Sequence, residues 1–238
     1  MTTLKDFNAL LKIHRTVDRD YKILIRKKFW KSLDLVNEKS THIILEFLKL
    51  WGILSIPDPN NPENYKKIKP MEKGLTNALK GQKENFDKLR NDKLIDFEFN
   101  NTEKVETIKE IFNNIKVKYI GSTAISKIMH LALPELFVMW DEAIKDKYLK
   151  KKRISGTSEN YVKFLKIMQK IARDMLKQFI KKGSKNMSLV EAKKKFEEEY
   201  SEKSFKFNLT KLIDEYNWQS IKRGKYIKRW NEIEKMNI

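Results

Sequence analysis

The chain has no cysteine, and this absence excludes several classes of function. Disulfide bonds, thiol catalysis and cysteine-ligated zinc all require the thiol group. Three histidines are present, His14, His42 and His130, and they are scattered along the chain in a pattern that does not indicate a metal site. We therefore expect no metal and no other cofactor.

Glycine and proline are also scarce, with seven and five among the 238 residues. Tight β-turns draw heavily on these two residues, so a fold of many short strands is disfavoured. Apolar residues instead recur at helical spacing, as at Val105, Ile108, Ile111 and Phe112. The sequence predicts an all-α protein, a multi-helix orthogonal bundle of nine or ten helices. Only residues 94–99 alternate in a way that fits a short strand or an extended connector.

Long hydrophobic runs are missing as well. No stretch approaches the 18 or more apolar residues of a membrane span, and the amphipathic N-terminus lacks the apolar core of a signal peptide. We expect a cytoplasmic protein without a membrane span. One alternative is a protein that binds anionic membranes through residues 1–15, although no basic cluster lies beside that segment.

The prolines that are present cluster in one place. Four of the five lie between Pro57 and Pro70, which predicts an exposed loop or linker over residues 56–70. This linker belongs to an N-terminal helical region, residues 1–98. A C-terminal helical region, residues 99–238, carries a helical hairpin over 121–144. The sequence leaves open whether the two regions are separate domains.

Positive charge is abundant: 51 lysines and arginines oppose 32 acidic residues, a formal net charge of +19. Such an excess attracts polyanions, and nucleic acid first among them. Basic runs with aromatic residues inside them, such as 25–31, 145–153 and 222–229, are typical of surfaces that hold phosphates and stack unpaired bases. The alternative is that each run is a solvated helix face. A nucleic-acid-binding surface requires the runs to converge on one side of the fold, whereas solvated faces do not.

The least charged segment is GSTAISKIMHLALPELFVMWDEAI, residues 121–144. Gly121 permits a tight turn, and Ser122 or Thr123 can accept hydrogen bonds from the first amides of the helix that follows. Pro134 ends this helix, because its nitrogen cannot donate to the helical ladder. An apolar connection then leads to the next helix.

Polar residues lie at fixed points of this hairpin. Ser126, Lys127 and His130 form one polar strip of the first helix, and Asp141 opens the second. An aspartate before a helix accepts from the first amides and complements the dipole, worth about 0.5–2 kcal/mol. In the structural interpretation Asp141 is only such a cap, while Trp140 and His130 belong to the core. In the functional one Asp141 is an anion held beside a ligand.

A helix, a short apolar connection and an aspartate that starts the next helix resemble the end of the motif in helix-hairpin-helix DNA base-excision glycosylases. Gly121 would be the last glycine of the hairpin and Asp141 the catalytic carboxylate. The resemblance implies that Asp141 stabilises the oxocarbenium-like sugar as the base leaves, while the hairpin amides grip the DNA backbone. It implies a role in DNA repair or defence. The nucleic-acid-binding residues that we predict are Gly121, Ser122, Thr123, Lys127, His130, Trp140, Lys145, Lys147, Lys150, Lys151, Lys152 and Arg153.

The sequence also departs from the family pattern. The hairpin has one glycine rather than two, and the position of the Schiff-base lysine falls near Ser122 or Thr123, with Lys127 one helical turn further on. An enzyme of this kind would therefore be a monofunctional hydrolase, and the lack of cysteine excludes the iron–sulfur cluster that part of the family carries. The alternative is a non-enzymatic accessory protein that docks a nucleic acid or a nucleoprotein partner through a basic face.

Residues 207–218, FNLTKLIDEYNW, predict one more helix with a core stripe of Leu209, Leu212, Ile213 and Tyr216. The adjacent residues 214 and 215 are both acidic. Because neighbours on a helix point about 100° apart, we do not expect a paired-carboxylate site there.

Overall fold

The computed structural model describes residues 38–53, 55–150, 153–183, 186–201 and 207–221. Within these ranges the chain forms nine α-helices, a short 3-10 turn and no strand, which confirms the all-α prediction. The helices are α1 (Glu38–Leu50), α2 (Tyr65–Gly81), α3 (Lys83–Lys88), α4 (Thr102–Asn114), α5 (Ser122–Ala132), α6 (Glu142–Leu149), α7 (Ser158–Lys182), α8 (Leu189–Tyr200) and α9 (residues 209–221). Residues 94–99 form turns.

The longest helix, α7, organises the packing. Its apolar side contacts α4, α6 and α8, while α1 packs against α2 and α5. One hydrophobic cluster extends from Ile44 and Leu45 of α1 to Leu212 and Ile213 of α9. This cluster therefore includes residues from both regions that the sequence distinguishes, and contacts of α3 with α4 cross residue 98 as well.

The residue types predict a helix cap at Asn101 or Thr102, a capping box from Ser188 to Glu191 and a helix that ends at Gly183. The side chain of Asn101 accepts a hydrogen bond from the Lys104 amide at 3.1 Å. Ser188 and Glu191 form a reciprocal capping box, each side chain accepting from the backbone of the other. Gly183 follows the last residue of α7, as the sequence predicts. These local signals fix the helix ends and hence the positions of the loops.

The proline-rich segment differs from its prediction. A 3-10 turn covers Pro62–Asn64 and α2 begins at Tyr65, so the last six residues of the predicted linker are helical instead. Pro70 lies inside α2 and removes one hydrogen bond from the ladder. The helix persists because Ile68 and Met71 on either side of the proline are buried in the core. Packing therefore outweighs the local preference of proline.

Candidate functional site

The hairpin begins at Gly121, the residue before α5. Its φ of −87° is an ordinary value, and no side chain caps the helix, so the expectation that Ser122 or Thr123 would do so is wrong. The loop after α6 covers this helix end instead. A Cβ atom at Gly156 would overlap the side chain of Ser122, so glycine is the residue that permits this close approach. Gly121 is exposed, whereas Ser122 and Thr123 are half-buried.

The connection after α5 folds back over the helix that precedes it. The helix ends at Ala132, two residues before Pro134, as predicted. The backbone amide of Trp140 donates to Ser126 Oγ at 3.2 Å, and the indole Nε1 donates to the Ser122 carbonyl at 3.1 Å. These bonds join the two arms of the hairpin and place the residue after Trp140 at the start of α6.

His130 and Trp140 both lie in the core, each about 1% exposed. His130 Nδ1 is 2.7 Å from the Phe137 carbonyl, which can only accept, so Nδ1 carries the hydrogen. Burial lowers the pKa of His130 to about 3, and the imidazole is neutral at pH 7. Trp140 packs against the rings of Phe112 and Tyr161. Neither side chain offers a surface to a nucleic acid in this conformation, which favours the structural interpretation of both.

Asp141 is the N-cap of α6. Its Oδ1 accepts from the Ile144 amide at 2.8 Å, and the side chain is half-buried. The carboxylate therefore sits at the positive end of the α6 dipole. Because Oδ1 makes the capping hydrogen bond, Oδ2 is the oxygen that would interact with a ligand.

The next residue predicted for the site is Lys127, which lies on α5. It is only 8% exposed, and its Nζ donates to the Trp51 carbonyl at 3.0 Å and lies 5.3 Å from the centroid of the Trp51 ring. Burial lowers the pKa of Lys127 to about 8, and the negative charges of Asp214 and Asp141 oppose this shift. The Asp141 carboxylate therefore acts on Lys127 through its charge, and the direct partner of the ammonium is the Trp51 carbonyl.

Helix α9 supplies three more charged groups that the sequence analysis did not assign to the site. Lys211 is 1% exposed, and its Nζ lies 4.4 Å from the centroid of the Trp51 ring. Its ammonium pairs with Asp214 Oδ2 at 3.2 Å and with Glu215 Oε1. Burial raises the pKa of Asp214 to about 6, and the Lys211 charge opposes this rise. The predicted core stripe of α9 is confirmed.

Asp214 and Glu215 therefore lie beside the same ammonium group, because Lys211 pairs with both. As neighbours on a helix, the two side chains point in different directions, as predicted. They follow Lys211 by three and four residues, and at both spacings a carboxylate can contact the lysine ammonium. A lysine followed at these spacings by two acids, on a helix with an apolar stripe, was the available sequence signal. We call the set Trp51, Lys127, Asp141, Lys211, Asp214 and Glu215 the charged site.

The charged site contains two ammonium groups beside one indole ring, and carboxylates that pair with one of them or act through their charge. Among the described residues, no group of three or more histidine, aspartate and glutamate side chains is arranged to hold a metal ion. What the site can do chemically is place negative charge beside a cationic centre, with Asp141 as its half-exposed carboxylate.

The described residues of the basic run at 145–153 differ in exposure and in their partners. Lys145 is buried, and its Nζ pairs with Glu142 at 2.7 Å. Lys147 Nζ donates to Ser220 Oγ at 2.6 Å. Lys150 and Arg153 are exposed, each in a left-handed backbone conformation with φ of 54°. Lys151 and Lys152 lie outside the described residues, as do the runs at 25–31 and 222–229 and the N-terminal segment 1–15.

A different set of cations does share one face. Along α7 they occur three or four residues apart, which places them on one strip about 27 Å long, at 1.5 Å rise per residue. We call this strip the lysine face; it consists of Lys163, Lys166, Lys170, Arg173, Lys177 and Lys181. Its lysines are exposed, Arg173 is half-buried, and none of the six forms an ion pair with another described residue.

The opposite side of α7 lies in the core and fixes the orientation of the lysine face. Tyr161, Phe164, Leu165 and Met168 are fully buried there. The half-buried acid Asp174 lies at the edge of the lysine face. The cations of the lysine face are dispersed along the sequence rather than consecutive, and only their helical spacing reveals the strip.

No helix in the described ranges is long and apolar enough to cross a membrane. No protein-family model matches the chain, and neither a curated protein nor a solved structure matches it significantly. What the structure shares with the helix-hairpin-helix glycosylases is an all-helical fold, and the closer relation that residues 121–144 suggest is therefore a matter for proposal.

Proposed function

We propose that the protein binds nucleic acid through the lysine face of α7. The observation that carries this proposal is the strip of six cations, five of them exposed, that lie three or four residues apart along about 27 Å of one helix. Because the other side of α7 is packed in the core, the cations are held on a rigid support. The net charge of +19 would attract a polyanion over a longer range.

Binding to phosphates through lysine has a quantitative signature. If all six cations contact phosphates, the logarithm of affinity should fall with the logarithm of salt concentration, with a slope of about −4 for a single strand and −5 for a duplex. Between 50 and 200 mM salt this amounts to a loss of roughly 300-fold and 2,000-fold, respectively. Fluorescence anisotropy with labelled oligonucleotides measures both slopes.

A charge-reversal variant tests the location of the binding surface. Replacing Lys163, Lys170 and Lys177 with glutamate should lower affinity on the order of 100-fold and reduce the steepness of the salt slope by about 3. The matched control changes three exposed lysines of α2 in the same way; these are Lys66, Lys73 and Lys80. Equal losses in the two variants would mean that binding follows net charge alone, and the lysine face would not be the site.

A second candidate function is base excision at Asp141, and the observation that favours it is a half-exposed carboxylate fixed at the N-terminus of α6. In this proposal the glycosidic bond breaks with its electron pair passing to the base, and the Asp141 carboxylate stabilises the positive charge on the sugar. Water then adds to C1′, and the proton that it releases goes to the departed base. The alternative is an accessory protein that binds nucleic acid without this reaction.

Asp141→Asn separates these two candidates. Asparagine also accepts the Ile144 amide, so the cap and the fold should persist while the negative charge is lost. Base release from a panel of damaged duplexes should be detectable in the wild type and absent in this variant, with binding retained. Release in neither protein, together with equal binding, would support the accessory function.

A further inference from the structure

A groove opens beside the lysine face, with a cavity volume of about 700 Å³. Its size falls within the range of pockets that hold small organic groups. The residues that line it include Asp96, Glu98, Phe99, Arg173, Lys177 and Val190. Arg173 and Lys177 belong both to this groove and to the lysine face.

Hydrogen bonds hold one wall of the groove in place. Gln169 Nε2 donates to the carbonyls of Leu94 and Phe97 at 2.8 and 2.7 Å, and Arg173 Nε donates to the Ile95 carbonyl at 2.8 Å. These bonds attach the turns of residues 94–100 to the side of α7. The groove is therefore preformed, and a ligand would not have to order its wall on binding.

An aromatic ring lies inside this wall. Phe99 is half-buried, and its ring meets the Phe97 ring edge-on with 4.7 Å between centroids. The ammonium of Lys166, a member of the lysine face, lies 5.8 Å from the centroid of the Phe99 ring. A polyanion along the lysine face would thus pass directly beside an aromatic surface. On the other wall Val190 is 66% exposed, an apolar contact for a planar group.

The charges of the groove distinguish between ligand classes. Arg173 and Lys177 can hold a phosphate, whereas the exposed Asp96 and Glu98 would repel an acidic peptide. The same carboxylates can accept hydrogen bonds from the exocyclic amino groups of bases. Cations for the backbone, a ring for stacking and acceptors for a base edge together describe a nucleotide unit.

We infer that the groove receives an unpaired base of a single-stranded nucleic acid whose phosphates lie along the lysine face. This inference rests on the proposed nucleic-acid binding and adds that the bound strand is single. A duplex could also contact the lysine face, but its paired and stacked bases could not enter the groove.

Substitutions in the groove test the inference. Phe99→Ala should weaken binding of a single-stranded oligonucleotide roughly 5- to 150-fold, the range of one base–aromatic stack. Duplex affinity should stay within about twofold, because the phosphate contacts are unchanged. Phe99→Tyr keeps the ring and should bind the single strand like the wild type. Because Phe99 also packs against the core, Val190→Trp serves as a second variant; Val190 is exposed, and the larger side chain would fill the groove without disturbing the fold.

A fluorescent base analogue gives an independent readout. An oligonucleotide with one 2-aminopurine should be quenched on binding to the wild type and to Phe99→Tyr, and much less on binding to Phe99→Ala. Unchanged single-strand affinity in both Phe99→Ala and Val190→Trp, while reversal of the lysine face still abolishes binding, would overturn this inference and leave the proposed function standing. Failure of the wild type to bind any oligonucleotide would overturn both.

Discussion

Replacing Lys127 with methionine should stabilise the protein at neutral pH, although the change removes a hydrogen bond. Burial lowers the pKa of Lys127 from 10.5 to about 8, so keeping the ammonium charged in the folded state costs about 3 kcal/mol at pH 7. Methionine retains an apolar stem beside Trp51 and has no charge. The lost hydrogen bond to the Trp51 carbonyl offsets about 1 kcal/mol, which leaves a net gain of about 2 kcal/mol.

The pH dependence gives this prediction its sign. The folded state releases the Lys127 proton near pH 8 and the unfolded state near 10.5, so the destabilisation is complete below pH 8 and disappears as pH rises toward 10.5. From pH 7 to pH 9 the wild type should therefore recover about 1 kcal/mol relative to Lys127→Met. Urea unfolding followed by circular dichroism at both pH values measures the two differences in the free energy of unfolding.

An exposed lysine provides the control for this experiment. Lys170→Met removes the same group from the surface of α7, and we expect a change within about 0.5 kcal/mol. The reasoning is refuted if Lys127→Met lowers the free energy of unfolding at pH 7, or if its difference from the wild type is the same at pH 9. Either result would mean that the neighbouring carboxylates stabilise the ammonium more than burial destabilises it.

Two further predictions concern the hairpin. His130→Asn keeps a donor for the Phe137 carbonyl but cannot titrate; because burial lowers the pKa of His130 to about 3, the wild type should lose about 2 kcal/mol relative to this variant from pH 7 to pH 5, as the unfolded state takes up the proton first. Urea unfolding at both pH values checks this, and parallel pH profiles would contradict it. Gly156→Ala should lower the free energy of unfolding by about 1–3 kcal/mol through overlap with Ser122, and adding Ser122→Gly should restore part of the loss. Thermal unfolding of the two variants decides this, and a single variant as stable as the wild type would show that the loop can move away.

The features that the sequence predicts well depend on short-range interactions. The Asn101 cap and the Ser188 capping box act over three residues, so the local pattern contains all the information they require. The helical periodicity of α4 and α7 likewise follows from which residues are apolar. Asp141 belongs to the same class, since its bond to the Ile144 amide spans three residues.

The charged site could not be predicted in this way, because its members come from distant parts of the chain. Lys127 donates to a carbonyl 76 residues earlier, and Lys211 reaches the same tryptophan from α9. Whether a lysine is exposed or buried depends on tertiary packing, and a basic residue in a charged chain is ordinarily exposed. The lysine face could have been predicted from the sequence, since its spacing of three and four residues is a property of the sequence alone.

The charged site and the lysine face differ in net charge, which implies different functions. The charged site combines two ammonium groups with three carboxylates, so it is negative by one charge when all five groups are ionised. Such a site does not attract phosphate, whereas the lysine face does. If the charged site acts on a nucleic acid, it must therefore act on a centre that becomes positive, as the sugar does when a base leaves. Binding and chemistry would then be separable: reversing the lysine face should weaken every complex, and Asp141→Asn should leave binding intact while abolishing turnover.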